Sequence, residues 1–510
     1  MRAMIMNINP VLKLNPKDDV VIARQCVPAG TWLEEEQITV ISDIPAGHKI
    51  ALRSLNIGEA VKRYGQIIGF ATQPIQAGEH IHMHNLGMGD FERDYAWGVD
   101  RHSPTPAEHQ DIFQGIRRAD GRAATRNYIG ILSSVNCSAT VVRAIEDHFR
   151  LHGLADYPNV DGVVSLPQSF GCAIGSKSES MAVMRRTMAG YATHANFAGV
   201  IIIGLGCESS QIKDMMNAHG LEDGPMMHSY TIQDVGGTRH AIQKGIDLVN
   251  QMLPLANQVI REPIPASEII LALECGGSDS YSGISANPAL GYAVDKLVQQ
   301  GGTAILSETS EIYGAEHLLT RRAVSREVGE KLIARIHWWE DYCRRSGSEM
   351  NNNPSAGNKV GGLTTILEKS LGGIAKAGTT NLTEVYEYAE PVTAKGFVFM
   401  DTPGYDPIAV TGQIAGGANL LCFTTGRGSA FGSKPTPSLK LATNNALWLR
   451  QQEDMDINCG TIVEGEETIA EVGERIYQMI LDMASGKKTK SEEFGYGSQE
   501  FVPWTIGSIM

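Results

Sequence analysis

The stretch Ile269-Ile270-Leu271-Ala272-Leu273-Glu274-Cys275-Gly276-Gly277-Ser278-Asp279-Ser280 decides the fold class of this chain. An apolar, β-prone run stops at a cysteine, and two glycines, a hydroxyl and a carboxylate follow. A buried strand that delivers polar groups into a crevice has this pattern. The alternative is a strand, a tight turn and an inert buried thiol. Other runs of the chain end in the same way, and this repetition favours the first interpretation.

Three earlier apolar runs, residues 127–135, 160–166 and 197–205, predict strands that lead to Cys137, Cys172 and Cys207. Segments 139–150 and 178–191 between them predict helices. The carboxyl ends of parallel strands share one edge of a sheet, where crevices form. We therefore predict a shared role, with metal ligation as the candidate, for Cys172, Cys207 and Cys275, and a weaker one for Cys137. The alternative is four buried thiols beside glycine turns.

Composition narrows the class of protein. The chain has 510 residues, 42% hydrophobic and 20% charged, which is typical of a globular protein with about three domains. A net charge of -14 disfavours nucleic acid and anionic membrane surfaces as partners. No apolar run approaches the ~20 residues of a spanning helix, and residues 1–10 lack the features of a signal peptide. Eight cysteines without pair spacing indicate a reducing compartment, so we expect a cytoplasmic protein.

The chain divides by texture into an all-β module and an α/β remainder. Residues 1–88 repeat a phrase of an apolar residue, a turn and a glycine, ending at Gly30, Gly47 and Gly78. Residues 89–111 predict a linker. Residues 112–260 and 261–510 predict α/β domains with mostly parallel sheets. Glycine-rich sheet edges are compatible with a homodimer.

Histidines follow two of these turns. His80, His82 and His84 alternate, so they lie on one face if the segment is a strand. Three imidazoles on one face indicate a metal or proton-transfer site, and solvated surface histidines are the alternative. His48 and Lys49 follow the turn at Gly47 and are further candidates.

Later strand ends carry more polar groups. The run 304–306 leads to Glu308, and a loop rich in asparagine and glycine contains Asn358 and Lys359. Arg427 stands between two glycines after the run 420–423, which suits a carboxylate or phosphate. The chain has no phosphate-binding Gly-Lys-Ser/Thr loop and no dinucleotide fingerprint.

Several motifs, taken together, resemble the altronate and galactarate dehydratase family. They are the residues 274–279, 282–288, 204–208, 353–359 and 424–428, with Gly47-His48-Lys49 resembling that family's small β-clip module, the SAF-type domain. The resemblance covers nearly the whole chain. It implies a cytoplasmic sugar-acid dehydratase that depends on a divalent metal, usually iron. Gln168 and Phe170 depart from the family pattern of His and Tyr, which leaves the sugar acid open.

The chemistry of dehydration assigns roles to the candidates. A metal would stabilise charge on the substrate carboxylate, and a base would remove the neighbouring proton. We predict His48, Lys49, Glu308 and Lys359 as catalytic groups, and Ser278, Asp279, Asn358 and Arg427 as substrate-binding groups. For each, the alternative is a solvated or structural side chain.

The metal ligands leave two alternatives. One is Fe²⁺ or Mn²⁺ held by imidazoles, with His82 and His84 as ligands; the other is iron, or an iron–sulfur cluster, on Cys172, Cys207 and Cys275. Two other functions also remain: a lyase that acts on a 3-substituted 2-hydroxy acid such as a sulfolactate, and a sugar-acid binding protein without turnover.

Overall fold

The structure, a computed structural model, describes residues 9–89, 91–102 and 105–507. Residues 1–8, which include most of the segment searched for a signal peptide, and Ser103 and Pro104 of the predicted linker lie outside the described residues. Asp90 of that linker does so as well. Among the described helices, none combines the length and apolar character needed to cross a membrane.

The N-terminal part is all β, as predicted. Its strands are β1 (Val11–Leu12), β2 (Val20–Ala23), β3 (Trp32–Leu33), β4 (Ile38–Thr39), β5 (Lys49–Ala51), β6 (Ala60–Arg63), β7 (Gln66–Ala71), β8 (His80–Ile81) and β9 (Leu86–Gly87). They form antiparallel sheets in the orders β1-β2-β5-β8, β6-β7-β9 and β3-β4. The repeated turns explain the glycines, since Gly30, Gly47 and Gly78 have φ of 82°, 82° and 83°, where other residues are strained.

The second part is built on a four-stranded parallel sheet. Its strands β10 (Ile112–Arg117) and β11 (Ala123–Ala124) precede β12 (Tyr128–Ser133), β13 (Gly162–Leu166), β14 (Phe197–Gly204) and β15 (Met227–Thr231). The parallel sheet has the order β13-β12-β14-β15. The accompanying helices are α1 (Ala139–His152), α2 (Glu179–Ala192), α3 (Ile212–Ala218) and α4 (Thr238–Ala256). Strand β10 pairs with β11 and with β16 (Glu262–Pro265), which leads into the last part.

The last part contains a seven-stranded parallel sheet. Its strands are β17 (Ile270–Cys275), β18 (Thr303–Leu306), β19 (Leu382–Tyr386), β20 (Gly396–Met400), β21 (Leu420–Thr425), β22 (Ser438–Ala442) and β23 (Ile457–Asn458), in the order β19-β20-β18-β17-β21-β22-β23. The quoted stretch is therefore a central strand. Because both faces of β17 are covered, five of its six residues are buried, which is why its sequence is continuously apolar.

Helices cover this sheet and connect its strands. They are α5 (Ala286–Gln299), α6 (His317–Thr320), α7 (Arg326–Arg345), α8 (Ala356–Val360), α9 (Ile366–Ile374), α10 (Asp406–Ala415), α11 (Asn445–Arg450), α12 (Ile469–Ala484) and α13 (Lys490–Glu493). The predicted fold class, an all-β module followed by α/β parts with parallel sheets, is confirmed.

One apolar core joins the N-terminal β part to the seven-stranded sheet. Ile22 and Ile68 of the first belong to the same buried cluster as Leu271 and Leu306 of the second. Polar contacts accompany it: the hydroxyl of Tyr281 donates to the carbonyl of Ala23 at 2.9 Å. The β part is thus docked on the carboxyl edge of the large sheet, and this junction holds the polar groups described next.

Candidate metal and proton-transfer site

Three imidazoles converge at the junction, and strand pairing brings them together. Lys49 pairs with Ile81 across β5 and β8, so the preceding His48 faces the residues that flank Ile81. One nitrogen atom from each of His48, His80 and His82 lies within 4.8 Å of the others. The Nδ1 atom of His48 is 3.0 Å from Nε2 of His80.

The predicted alternation of His80, His82 and His84 stops after one step. Strand β8 ends at Ile81 because the chain turns there: the Asn85 N–H donates to the carbonyl of His82 at 3.0 Å, and the His82 N–H donates to the Asn85 side chain at 2.9 Å. His84 is consequently exposed and lies outside the group. The imidazoles grouped with His82 are those of His80 and of His48, which is one of the predicted catalytic residues.

Burial keeps these rings neutral. It lowers the pKa of His48, and burial with the adjacent His48 ring lowers the pKa of His80 to about 3. Burial and the charge of Lys49 lower the pKa of His82 to about 4. The Nδ1 atom of His82 is buried without a hydrogen-bond partner among the described residues. A neutral imidazole with a free buried nitrogen is the form that binds a metal.

Next to the imidazoles, a buried ion triad clamps the two parts together. The ammonium of Lys49 donates to both oxygens of Glu368 at 2.9 Å and to the Gly362 carbonyl at 2.6 Å. The guanidinium of Arg63 donates to the other side of the same carboxylate. All three side chains have 0% exposure. Lys49, predicted as catalytic, therefore has its donors occupied and serves as a positioning residue.

A second polar centre lies deeper, at the carboxyl edge of the large sheet. Cys275 ends β17, and its thiol accepts from the Lys376 ammonium at 2.7 Å and donates to Glu311 at 3.3 Å. The ammonium of Lys369 donates to Glu311 and to Asn353. Burial raises the pKa of Cys275 to about 11, so the thiol keeps its proton. This thiol is a buried hydrogen-bonding group, and its sulfur also lies within 4.8 Å of carboxylate oxygens of Glu308 and Glu311.

Glu308, predicted as catalytic, belongs to this centre. Its backbone has φ of 66°, a left-handed conformation that is strained for glutamate. Burial, and after it the charges of Glu274 and Glu311, raise the pKa of Glu308 well above its usual range. The raised pKa favours the protonated form of Glu308, the form that can donate a proton.

Asp406 sits at the open side of the centre. Burial and the charges of Glu274 and Glu311 raise its pKa to about 7. It faces the turn after Cys275, because a Cβ atom on Gly276 would collide with its carboxylate. A carboxyl group with a pKa near neutrality, half-buried beside a turn, is suited to proton transfer.

Arg427 flanks the same turn. Its backbone N–H donates to the Gly277 carbonyl at 2.9 Å. Its side chain is exposed, and within the described ranges no ion pair engages the guanidinium. The predicted anion-binding role is compatible with this placement.

Of the other predicted substrate-binding residues, Asp279 and Asn358 have side chains engaged in hydrogen bonds, whereas Ser278 does not. Asp279 accepts hydrogen bonds from Ser282, Thr443 and Asn444, so its carboxylate holds loops together. Asn358 caps α8 and donates to the Ser278 carbonyl at 2.8 Å. The hydroxyl of Ser278 is buried without a partner among the described residues and stays available.

Lys359 lies half-buried in α8, next to Val360, whose carbonyl is 3.2 Å from Nε2 of His48. Its ammonium makes no hydrogen bond or ion pair within the part of the chain that the structure describes. Among the described residues, the ammonium of Lys359 is therefore not engaged by another side chain.

The predicted common edge for Cys172, Cys207 and Cys275 is wrong. Cys172 and Cys207 follow β13 and β14 of the four-stranded sheet and are exposed, whereas Cys275 ends a strand of the seven-stranded sheet and is buried. Cys172 and Cys207 were predicted in one α/β domain and Cys275 in the next, and strand ends share an edge only within one sheet.

Two charged residues of the site, Glu368 and Lys369, were not predicted from the sequence. Glu368 and Lys369 lie in α9, where every residue from Ile366 to Ile374 is buried. Two adjacent charges within an otherwise apolar, glycine-containing helix are the signal that could have found them, since buried charges need partners.

Three domain models of one protein family match successive parts of the chain. The model of the D-galactarate/altronate dehydratase C-terminal domain matches residues 266–509. The model of the second domain of D-galactarate dehydratase/altronate hydrolase matches residues 115–257, and the altronate/galactarate dehydratase SAF domain matches residues 9–89.

Individual relatives are similar over their full length. The galactarate dehydratase (L-threo-forming) of Escherichia coli (strain K12) is 37% identical over 499 residues, 96% of this chain and 95% of that protein. The altronate dehydratase of Bacillus subtilis (strain 168) is 33% identical over 488 residues, 94% of this chain and 96% of that protein. The (2R)-sulfolactate sulfo-lyase subunit beta of Chromohalobacter salexigens is 31% identical over 395 residues, 76% of this chain and 96% of that subunit.

Proposed function

This chain belongs to the D-galactarate/altronate dehydratase family, and we propose from that membership and from the junction site that it is a hydro-lyase acting on galactarate, altronate or a closely related sugar acid. The product of such a reaction is a 2-keto-3-deoxy acid. A base removes the proton beside the carboxylate, the neighbouring hydroxyl leaves with a proton, and the resulting enol rearranges to the ketone. The residues that carry the proposal are the three neutral imidazoles with the unpartnered Nδ1 of His82.

The imidazole group fits a divalent metal better than the buried carboxylates do. His48, His80 and His82 supply neutral nitrogen donors that suit Fe²⁺ or Mn²⁺. In the deeper centre, Lys369 and Lys376 already provide positive charge to the carboxylates. When bound, the metal would stabilise the negative charge that develops on the substrate carboxylate.

Cations of this chain orient the acid substrate. Arg427 stands beside the turn after Cys275, and Lys359 lies one residue before Val360, whose carbonyl contacts His48. A sugar acid with a carboxylate at each end would engage both, and one with a single carboxylate would engage one. Arg427 presents a planar fork, which favours bidentate pairing with the far carboxylate.

Proton transfer falls to the two perturbed carboxyl groups. Asp406, with a pKa of about 7, loses its proton near neutral pH and serves as the base. Glu308, whose raised pKa favours the protonated form and whose two buried side-chain oxygens have no hydrogen-bond partner among the described residues, serves as the donor to the leaving hydroxyl. Opposite protonation states in neighbouring carboxyl groups are the arrangement that acid–base chemistry needs.

The test is a substrate panel with one product assay. Metal-stripped protein is supplied with Fe²⁺ or Mn²⁺ and incubated with galactarate, altronate and (2R)-sulfolactate, and 2-keto acid, sulfite and metal dependence are recorded. Release of a 2-keto-3-deoxy acid from either sugar acid, only with metal, is the expected result. Tight binding of a sugar acid without product would instead identify a binding protein.

Sulfite release is the second candidate activity. It is favoured by the similarity to the sulfo-lyase subunit. Elimination of sulfite would follow the same proton abstraction with a different leaving group. Sulfite without 2-keto-3-deoxy acid in the panel would replace the first proposal with this one.

Location and assembly remain predictions. All eight cysteines are free thiols, which supports a reducing compartment such as the cytoplasm. Light scattering of the purified chain checks the predicted homodimer.

A further inference from the structure

Three thiols that the proposed reaction does not use stand on one rim of the second part. Cys137, Cys172 and Cys207 follow β12, β13 and β14, which are adjacent strands in the order β13-β12-β14. All three are exposed. Unpaired cysteine is among the most buried residue types, so packing does not account for three exposed thiols at neighbouring strand ends.

Backbone contacts hold two of the three loops against the third. The Asn136 N–H donates to the Phe170 carbonyl at 2.9 Å, which ties the loop of Cys137 to the loop of Cys172. The Ser210 N–H donates to the Gly171 carbonyl at 3.0 Å, which ties the loop of Cys207 to it as well. The cysteines are therefore carried on one connected surface rather than on independent loops.

A side-chain hydrogen bond links the remaining pair of loops, those of Cys137 and Cys207. The Ser134 hydroxyl donates to the buried carboxylate of Glu208 at 2.8 Å, which links the first loop to the third. The same carboxylate accepts from the Gly206 N–H at 2.6 Å. Each cysteine thus lies within a few residues of a contact that fixes its loop to a neighbour's.

The loop around Cys172 is strained. Gly171 has φ of 108°, and a Cβ atom there would collide with the Ser134 carbonyl, so only glycine permits this approach. Ala173 has φ of 57°, a left-handed conformation that an alanine rarely adopts. A strained residue directly after an exposed thiol is typical of a loop that must present a group in one direction.

Two further features of the rim suit an anionic, sulfur-rich ligand. Helix α1 begins at Ala139, directly after Cys137 and Ser138, and its first turn contains no acidic residue. The positive end of a helix favours a thiolate or another anion. The loop of Cys172 also contains Gln168, whose buried Nε2 donor has no partner among the described residues.

The spacing discriminates between a single ion and a cluster. Bonds of ~2.3 Å to one tetrahedral metal require sulfur atoms about 4 Å apart. Among the described residues, these thiols are absent from the groups whose ligand atoms lie within 4.8 Å of one another. A polynuclear cluster binds each thiolate through a different iron and so accepts wider spacing.

We propose that Cys137, Cys172 and Cys207 are the thiolate ligands of an iron–sulfur cluster with one iron left without a protein thiolate. Cys275 is not a ligand, because it lies on the other sheet and its thiol is held by Lys376 and Glu311. The three thiols belong to the second part and the imidazoles to the β part, so the cluster and the dehydratase activity are tested separately.

The experiment uses the full chain, purified anaerobically and reconstituted with Fe²⁺ and sulfide. Iron, acid-labile sulfide, zinc and the visible spectrum are measured, together with the electron paramagnetic resonance of the reduced protein. The expected result is iron and sulfide in near-equal amounts with the broad visible absorption of a thiolate-ligated cluster. Iron without sulfide, or zinc alone, overturns the proposal.

Variants identify the ligands. Cys137→Ser, Cys172→Ser and Cys207→Ser should each lose most of the sulfide and visible absorption. Cys26→Ser, an exposed thiol of the β part, and Cys275→Ser should retain them. Retention in the first three, or equal loss in Cys275→Ser, refutes the assignment. Alkylation of the unaltered chain guards against misfolded variants: the cluster should protect the three rim thiols while Cys26 reacts, and equal labelling of all four thiols refutes the site.

Discussion

Replacing Glu368 by glutamine should loosen the N-terminal β part from the large sheet. The substitution keeps the shape of the side chain and removes the charge that Lys49 and Arg63 share. Both cations would stay buried without a counter-ion. Removing one partner from a buried ion pair costs about 3–5 kcal/mol.

The lowered pKa of Glu368 gives a second value for the free-energy cost of removing its charge. Burial alone would raise it, but the charges of Lys49 and Arg63 lower it from 4.5 to about 2. That gap corresponds to about 3 kcal/mol, which agrees with the lower end of the first figure. The sign follows from the depressed value: the stabilisation is complete above pH ~4.5 and is lost as pH falls toward 2.

Hydrogen exchange of the full chain measures the effect where it occurs. In Glu368→Gln the amides of β5 and β6 should exchange faster by roughly 10²-fold or more, since each 1.4 kcal/mol is tenfold. The matched control is Glu474→Gln, which breaks an exposed pair with Lys296 and should cost less than about 1 kcal/mol. If Glu368→Gln accelerates exchange no more than the control, apolar contacts alone dock the β part and the reasoning fails.

Three further predictions concern the reaction site. His82→Ala should abolish Fe²⁺ or Mn²⁺ binding measured by calorimetry, while His84→Ala, the exposed neighbour, should bind as before; equal loss in both would reject the imidazole group. Asp406→Asn should lower kcat by about 10²–10⁴-fold and remove the rise of kcat/KM through pH ~7 that deprotonation of this carboxyl produces; a variant that keeps that rise would show another base. Arg427→Lys should raise KM for the sugar acid more than it lowers kcat, because it keeps the charge and loses the fork; unchanged KM would remove Arg427 from the substrate site.

Most of the architecture was accessible from the sequence, because buried parallel strands and amphipathic helices leave local patterns. The helix Ile469–Ala484 and the strand Gly396–Met400 begin and end where their apolar patterns do. The order of the strands within each sheet was not accessible. It depends on which strands pair across long stretches of chain, such as β10 with β16, residues about 150 apart, and a local pattern does not encode that pairing.

The site was predicted in its chemistry and only partly in its membership. His82 and Glu308, both predicted from the sequence, lie in the two polar centres at the junction. His84 follows the turn that begins at His82; its ring is exposed but stays 5.5 Å from that of His80. Asp406 was missed because an aspartate at the start of a helix is commonplace, and only the surrounding Glu274 and Glu311 make its pKa unusual.

The division of labour between the two parts explains why the ion triad matters for function. The imidazoles belong to the β part, whereas Glu308, Asp406 and Arg427 belong to the large sheet, so a reaction that needs both sets occurs only while the parts are docked. Lys49 follows His48 directly in the chain, and Glu368 precedes Lys369, which holds Glu311. A shift at the triad therefore moves both centres at once, and the residues that fix their relative position are charged and buried rather than apolar because an ion pair specifies one geometry where an apolar contact tolerates several.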